Sequence, residues 1–69
     1  MFSVWETKRH AKDGELIGQY RTLRGAKIGA HHLCDTDSLI EILNGHYVVA
    51  IRTYRFNRDG EPVREWVNK

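Results

Sequence analysis

The first part of the chain mixes apolar and polar residues in two short segments, Phe2 to Arg9 and Glu15 to Thr22. Aromatic and β-branched residues recur in both segments, and Lys12-Asp13-Gly14 lies between them. This arrangement is typical of two strands joined by a turn. We therefore predict an antiparallel hairpin, and Gly18 in the second strand indicates a bulge or a close backbone approach.

The spacing becomes helical after Thr22, which is a suitable N-cap residue. The apolar residues that share one helical face are Leu23, Ala26, Ala30, Leu33 and Cys34. Gly25 and Gly29 each cost a helix about 1 kcal/mol relative to Ala, so this helix must gain its stability by packing. We expect it to end near Asp35-Thr36-Asp37, where acidic residues oppose the helix dipole.

Residues 38 to 43 permit two interpretations. In a helix, Asp37 or Ser38 would be the cap and Gly45 the terminator. In a strand, Asn44-Gly45 would form a two-residue hairpin turn. That turn would place Ile40 opposite Val49 and give one uniformly apolar face, so we favour the strand.

A long strand then runs from His46 to Phe56, and a four-residue loop returns it as Glu61 to Val67. This loop would set Arg52 opposite Glu65. The predicted fold is a single α+β domain over 1–69, with five antiparallel strands and one helix on one face (ββαβββ). The helix should cover Ile40, Val49, Ile51 and Trp66. The strands of Phe2 and Glu61 should be the edges, which predicts a monomer or a weak dimer.

Length and composition narrow the functional classes. A chain of 69 residues gains only roughly 3–5 kcal/mol from its core, which leaves little room for a supported deep pocket. We therefore expect no enzyme and no cofactor. No apolar run is long enough for a membrane span, the start lacks the order of a signal peptide, and Cys34 is alone, so a cytoplasmic protein is expected.

The candidates for chemistry are few. His31-His32-x-Cys34 has ligand spacing on a helix, but zinc needs three or four ligands. Cys34 lacks a third group that would orient His31 as a base. The close carboxylate pairs, Asp35 with Asp37 and Glu61 with Glu65, lack a visible cleft. We predict neither a metal site nor a catalytic site.

The informative feature is the predicted sheet face away from the helix, because it keeps aliphatic groups where a solvated face is normally polar. Its expected members are Leu39, Glu41, Leu43, His46, Val48, Ala50, Arg52, Tyr54, Val63, Glu65 and Val67. Such a patch often marks a partner site; alternatively, a small sheet leaves these residues exposed or the first hairpin covers them. The predicted contact residues are Arg52, Tyr54, Arg55 and Arg58, supported by Lys8, Arg9 and Lys12.

A nucleic-acid-binding regulator is the alternative function. The arginines of the long hairpin are interleaved with Tyr54 and Phe56, which suits base stacking and phosphate contact. Lys8, Arg9 and Lys12 at the first turn, together with Arg21, Arg24 and Lys27 near the start of the helix, are the candidates for a second basic region.

Four short motifs run through nearly the whole chain: Leu23-x-x-Ala26-Lys27-x-x-Ala30, Asn44-Gly45, Asp59-Gly60 and Trp66-Val67. In their order and spacing, the chain resembles small phage-encoded proteins, in particular a compact anti-CRISPR family that acts on type I interference complexes. The resemblance implies a non-catalytic inhibitor in the host cytoplasm that occludes a surface of a bacterial protein or ribonucleoprotein complex. The longer last hairpin and the His31-His32 pair depart from that family.

Overall fold

The computed structural model describes the backbone of all 69 residues and every side chain except those of Tyr54 and Pro62. The elements are β1 (Phe2–Thr7), β2 (Glu15–Tyr20), α1 (Leu23–Leu33), β3 (Leu39–Asn44), β4 (Tyr47–Phe56) and β5 (Pro62–Asn68). All neighbouring strands are antiparallel. The prediction of a small α+β domain with one helix and an antiparallel sheet is confirmed, and residues 39 to 44 form a strand.

The strand order is β2-β1-β3-β4-β5, so β1 lies inside the sheet. Its second neighbour is β3, with Phe2 opposite Asn44 and Thr7 opposite Leu39. The expectation that the Phe2 strand is an edge is therefore wrong. The reason is the helical connection, which carries the chain from β2 across β1. As a result, β3 pairs with the edge of β1 that β2 leaves free.

The hairpin of β1 and β2 contains the bulge expected near Gly18. Val4 pairs with Gly18, but Trp5 pairs with Leu16, which leaves Ile17 as the extra residue. Ile17 is half-buried and packs against the core. The bulge thus lets one edge strand contribute an additional apolar side chain to the helix side of the sheet.

The helix is capped and seated as its sequence indicates. The Thr22 hydroxyl oxygen accepts a hydrogen bond from the Gly25 amide at 2.9 Å. Ala26 and Ala30 are completely buried. A Cβ atom at Gly29 would overlap the Tyr20 ring, so glycine at this position allows the close approach of β2 to the helix.

The turn between β3 and β4 differs from the prediction by one residue. Asn44 pairs with Tyr47, so the turn residues are Gly45, with a φ of +66°, and His46. The ladder also shifts, because Leu43 pairs with Val48 whereas Ile42 pairs with Ala50. Val49 is the extra residue of this bulge. After Val49, each residue of β4 therefore lies on the face of the sheet opposite to the predicted one.

The last hairpin is displaced by one residue as well. Its loop, residues 57 to 61, is closed by the Asn57 side-chain oxygen, which accepts from the amides of Asp59 at 3.0 Å and Glu61 at 2.9 Å. Arg52 consequently pairs with Trp66, and Thr53 pairs with Glu65. The predicted opposition of Arg52 and Glu65 is wrong.

The core lies between the helix and one face of the sheet. Its fully buried sheet residues are Val4, Ile40, Ile42 and Ala50, and Trp66 packs against them. Ile51, which we expected here, lies on the other face, and Val49 packs at the margin of the core. The helix contacts β2, β1 and β3. Along β4 and β5, the same side of the sheet extends beyond the helix.

Candidate binding surfaces and a buried polar cluster

Arg52, the first of the predicted contact residues, is on the helix side of the sheet and only 3% exposed. The prediction that it lies on the outer face is wrong. The bulge at Val49 is the physical reason, because one extra residue exchanges the two faces of the strand that follows. Its neighbour Tyr54 was predicted to share the contact surface, and its side chain lies outside the described residues.

Arg52 belongs to a buried polar cluster that holds the connection between α1 and β3. The Glu6 carboxylate accepts from the Asp35 amide at 2.7 Å and from the Ser38 hydroxyl at 2.8 Å. On the other side, Arg52 Nη2 donates to the Asp35 carbonyl oxygen at 2.7 Å. The Glu6 carboxylate therefore binds the backbone N–H of Asp35, and the Arg52 guanidinium binds its backbone C=O. Such charge-assisted bonds contribute about 1.5–3 kcal/mol each.

Burial changes the ionisation of two groups near this cluster. It lowers the pKa of Arg52, and the neighbouring positive charge of Arg64 lowers it further. Burial, followed by the charge of Glu6, raises the pKa of the Cys34 thiol to about 11. A thiol with this pKa is mostly protonated at neutral pH and reacts slowly. Among the described residues, no group of three or more His, Cys, Asp or Glu side chains is placed to hold a metal ion.

The other predicted contact residues meet at one end of the sheet. Lys8, Arg9 and Lys12 follow β1, and Arg55 and Arg58 lie at and just after the end of β4. Because β1 and β4 are both antiparallel to β3, they end at the same end of the sheet. A depression of about 520 Å³ at this end is lined by Thr7, Lys8, Arg9, Asp37, Leu39, Thr53 and Phe56. The sequence thus identified two basic groups, and the strand order places them at the same end of the sheet, with β3 between their strands.

Acidic partners reduce the free charge at that end. Arg55 is 2.8 Å from Glu65, and this hydrogen bond raises the pKa of Arg55. Lys8 is 4.0 Å from the Asp35 carboxylate. Six Asp and Glu residues lie in the adjoining loops and strand ends, namely Asp13, Glu15, Asp35, Asp37, Asp59 and Glu61. This end is therefore mixed in charge.

The sheet face away from the helix carries a continuous row of paired residues. Leu16 pairs with Trp5, Trp5 with Glu41, Glu41 with Ile51, and Ile51 with Val67. We call these five residues the open row. Leu39 and Leu43 lie on the same face beside it. Leu16 is 45% exposed and Val67 is 48% exposed, and among the described residues no helix or second sheet packs on this face.

The sequence identified part of this face. Leu39, Glu41, Leu43, Val48, Val63, Glu65 and Val67 are placed on it as expected, whereas Ala50 and Arg52 lie on the helix side. Trp5 and Leu16 were missed because their membership depends on β1 being an inner strand. Ile51 was assigned to the wrong face because of the bulge. A signal for Trp5 was present, since a large aromatic in a strand needs a packing partner.

The end of the sheet where the helix begins has an excess of positive charge. Arg21, Arg24, Lys27 and Lys69, which we call the basic end, lie at or near the end of β2, the start of α1 and the end of β5. The nine Asp and Glu residues all lie in the middle of the sheet or toward its other end. The chain has eleven Lys and Arg residues, so the other seven share the rest of the sheet with all nine acidic residues. Positive charge is therefore concentrated at one end. The expectation that these residues form one basic region with Lys8, Arg9 and Lys12 is wrong, because β1 and β2 are antiparallel and place the two sets at opposite ends of the sheet.

A cleft lies where β4 and β5 extend past the helix. It encloses about 450 Å³ and is lined by His31, Arg52, Val63, Arg64 and Trp66. Lys27 lies over the Trp66 ring, with its Nζ 5.5 Å from the ring centroid, and donates to the Asn68 side-chain oxygen at 2.9 Å. The Nε atom of Arg52 is buried and has no hydrogen-bond partner among the described residues.

Comparison with protein-family models, with curated proteins and with solved structures finds no match to this chain. Within the described residues, no helix is both long and apolar enough to cross a membrane. The surfaces described above are therefore the basis for a functional proposal.

Proposed function

We propose that this protein is a non-catalytic binding module that docks on a partner protein through the open face of its sheet. The open row carries the proposal. It crosses all five strands with four apolar residues and one carboxylate, and its edges are nearly half exposed. Large uncovered apolar surface of this kind is typical of protein interaction sites.

Glu41 defines the chemistry that the partner should offer. It sits at the centre of the open row, between Trp5 and Ile51, and no hydrogen bond or ion pair involves it among the described side chains. A docked surface that removes water from a lone carboxylate must supply a cation or several donors. The matching partner surface is therefore apolar with a Lys or Arg near its centre.

The biological setting of the proposal comes from the sequence resemblance. The resemblance implies that the module is an inhibitor encoded by a phage or a mobile element. The partner would then be a bacterial protein or ribonucleoprotein complex. The basic residues at the β1 and β4 ends, Lys8, Arg9, Lys12, Arg55 and Arg58, lie at one end of the sheet and would supply charged contacts at the margin of the interface.

A pair of matched substitutions tests the docking face. Val67→Lys places a charge in the open row, and Ile28→Lys places the same charge on the outer side of the helix, where Ile28 is 50% exposed. Both proteins should fold, because both positions are exposed. Affinity purification from a bacterial lysate should recover a partner with the native chain and Ile28→Lys, and Val67→Lys should reduce recovery about tenfold or more. Equal recovery with both variants would contradict the proposal.

The alternative, a nucleic-acid-binding regulator, is favoured by a separate observation, the basic end. Four cationic residues lie along that end of the sheet, and none of the nine Asp and Glu residues lies there. If all four contact phosphates, affinity for DNA or RNA should fall about 10²-fold between about 50 and 200 mM salt. Nuclease treatment of the lysate separates the two functions, because it would abolish recovery only where nucleic acid forms the bridge.

A further inference from the structure

The cleft between α1 and β5 is a second candidate site, on the opposite side of the sheet from the open row. The helix packs on β2, β1 and β3, so the helix side of β4 and β5 forms a ledge next to it. Trp66 and Arg64 rise from β5, and His31 faces them from the last turn of the helix. The ledge and the helix flank therefore make two walls of one cleft.

Cationic groups dominate these walls. Arg52 and Arg64 line the cleft together with His31, and Lys27 lies over the neighbouring Trp66 ring. Among the described residues, no Asp or Glu lines it. Two arginines held side by side repel each other, and in water an anion between them relieves that repulsion.

Arg52 supplies the observation that points to a ligand. The residue is 97% buried, because only 3% of it is exposed. Its Nη2 donates to the Asp35 carbonyl oxygen, whereas its Nε has no acceptor among the described residues. Glu6, the buried carboxylate of the same cluster, accepts from Asp35 and Ser38 instead. A buried charged donor without an acceptor is rare in folded proteins.

We propose that this cleft binds a phosphate group, with Arg64 and His31 at its rim and the Arg52 guanidinium as the buried donor. The phosphate would displace the side chains that shield Arg52 Nε from solvent, and its oxygens would supply the acceptor that this atom lacks. A phosphate suits the cleft better than a carboxylate, because its two negative charges match the two arginines and its tetrahedral oxygens reach both walls at once. This site is independent of the open row, which lies on the other face.

The two tryptophans allow a direct test by nuclear magnetic resonance. The indole N–H of Trp66 and the Nε–H of Arg52 report on the cleft, and the indole N–H of Trp5 reports on the open face. Inorganic phosphate, titrated at constant ionic strength with sodium chloride as the balancing salt, should shift the first two signals saturably and leave Trp5 unchanged. A nucleoside 5′-monophosphate should act in the same way if phosphoesters are accepted.

Two arginine variants provide the matched comparison. Arg64→Ala removes a charge at the cleft, and Arg21→Ala removes a charge beyond β2, at the opposite edge and end of the sheet. Both side chains are exposed, so both proteins should fold. Arg64→Ala should weaken phosphate binding about tenfold, whereas Arg21→Ala should leave it unchanged. Equal effects of the two variants, equal shifts at Trp5 and Trp66, or equally tight binding of acetate would overturn the proposal.

Discussion

Two neighbouring rows of the sheet differ in a way that reverses the usual pattern. The open row has Leu16, Trp5, Glu41, Ile51 and Val67 on the uncovered face. The next row, which we call the inner row, has Glu15, Glu6, Ile40, Arg52 and Trp66 on the helix side. Two charged residues of the inner row are buried, whereas the apolar ends of the open row are nearly half exposed. Burial here follows the position of the helix and of the connection after it rather than hydropathy.

The connection after the helix explains why charges are tolerated in the inner row. Backbone groups at a helix end lack intrahelical partners and must find them elsewhere when they are buried. Glu6 and Arg52 flank Ile40 and bind the amide and the carbonyl of Asp35 from opposite sides. The two buried charges are thereby hydrogen-bonded, which is the condition under which a small core accepts them.

The largest expected difference between the rows concerns their isoleucines. Ile40 is fully buried in the inner row, and Ile51 is only partly buried in the open row. Ile40→Ala should lower the free energy of unfolding by about 3 kcal/mol, because it leaves a cavity under the helix. Ile51→Ala should lower it by about 1 kcal/mol or less. Urea denaturation followed by tryptophan fluorescence measures both, and similar losses would show that the open face is covered in solution.

A smaller difference is expected between two glutamates. Glu6→Gln keeps the shape of the side chain but removes the charge that binds Asp35 and Ser38, so it should cost about 2 kcal/mol. Glu65→Gln removes the partner of Arg55 on the exposed face, and exposed ion pairs contribute little. The urea midpoint should fall for Glu6→Gln and stay unchanged for Glu65→Gln. A larger effect of Glu65→Gln would mean that the exposed pair, rather than the buried cluster, stabilises the fold.

The last comparison concerns the Cys34 thiol beside the inner row, and its effect is on reactivity, with no change in stability at neutral pH. Its pKa is about 11 in the folded protein, against 9.0 for an unperturbed thiol. Because the folded state holds the proton more tightly, the stability linked to this group is complete below pH 9 and is lost as the pH rises through about 11. Alkylation by iodoacetamide near pH 8 should be about 10²-fold slower than in urea-unfolded protein. Equal rates would place the thiol in water.

The sequence predicted elements well and registers poorly, for local reasons. Thr22 capped the helix, and alternation identified each strand, because these features depend on residues close together in the chain. The turn was misplaced by one residue, because Asn44-Gly45 is a strong turn signal, whereas the structure turns at Gly45-His46. That displacement alone would have kept Tyr47, Val49 and Ile51 on one face. The bulge at Val49, which no glycine marks in the sequence, moved Arg52 inward and Ile51 outward. The residues that form the cleft and the open row depend on this bulge, and so the sequence predicted neither site in full.

The position of β1 between β2 and β3 has a kinetic consequence. The hairpin of β1 and β2 and the meander of β3, β4 and β5 each form from segments that are close in sequence. The pairing of β1 with β3 joins these two parts, and it brings together Ser3 and Leu43, which are 40 residues apart in sequence. Joining distant segments is slow, because loop-closure entropy is lost before native contacts form. We expect the two halves to assemble quickly and separately, and the pairing of β1 with β3 to limit the rate at which a newly synthesised chain reaches its native state.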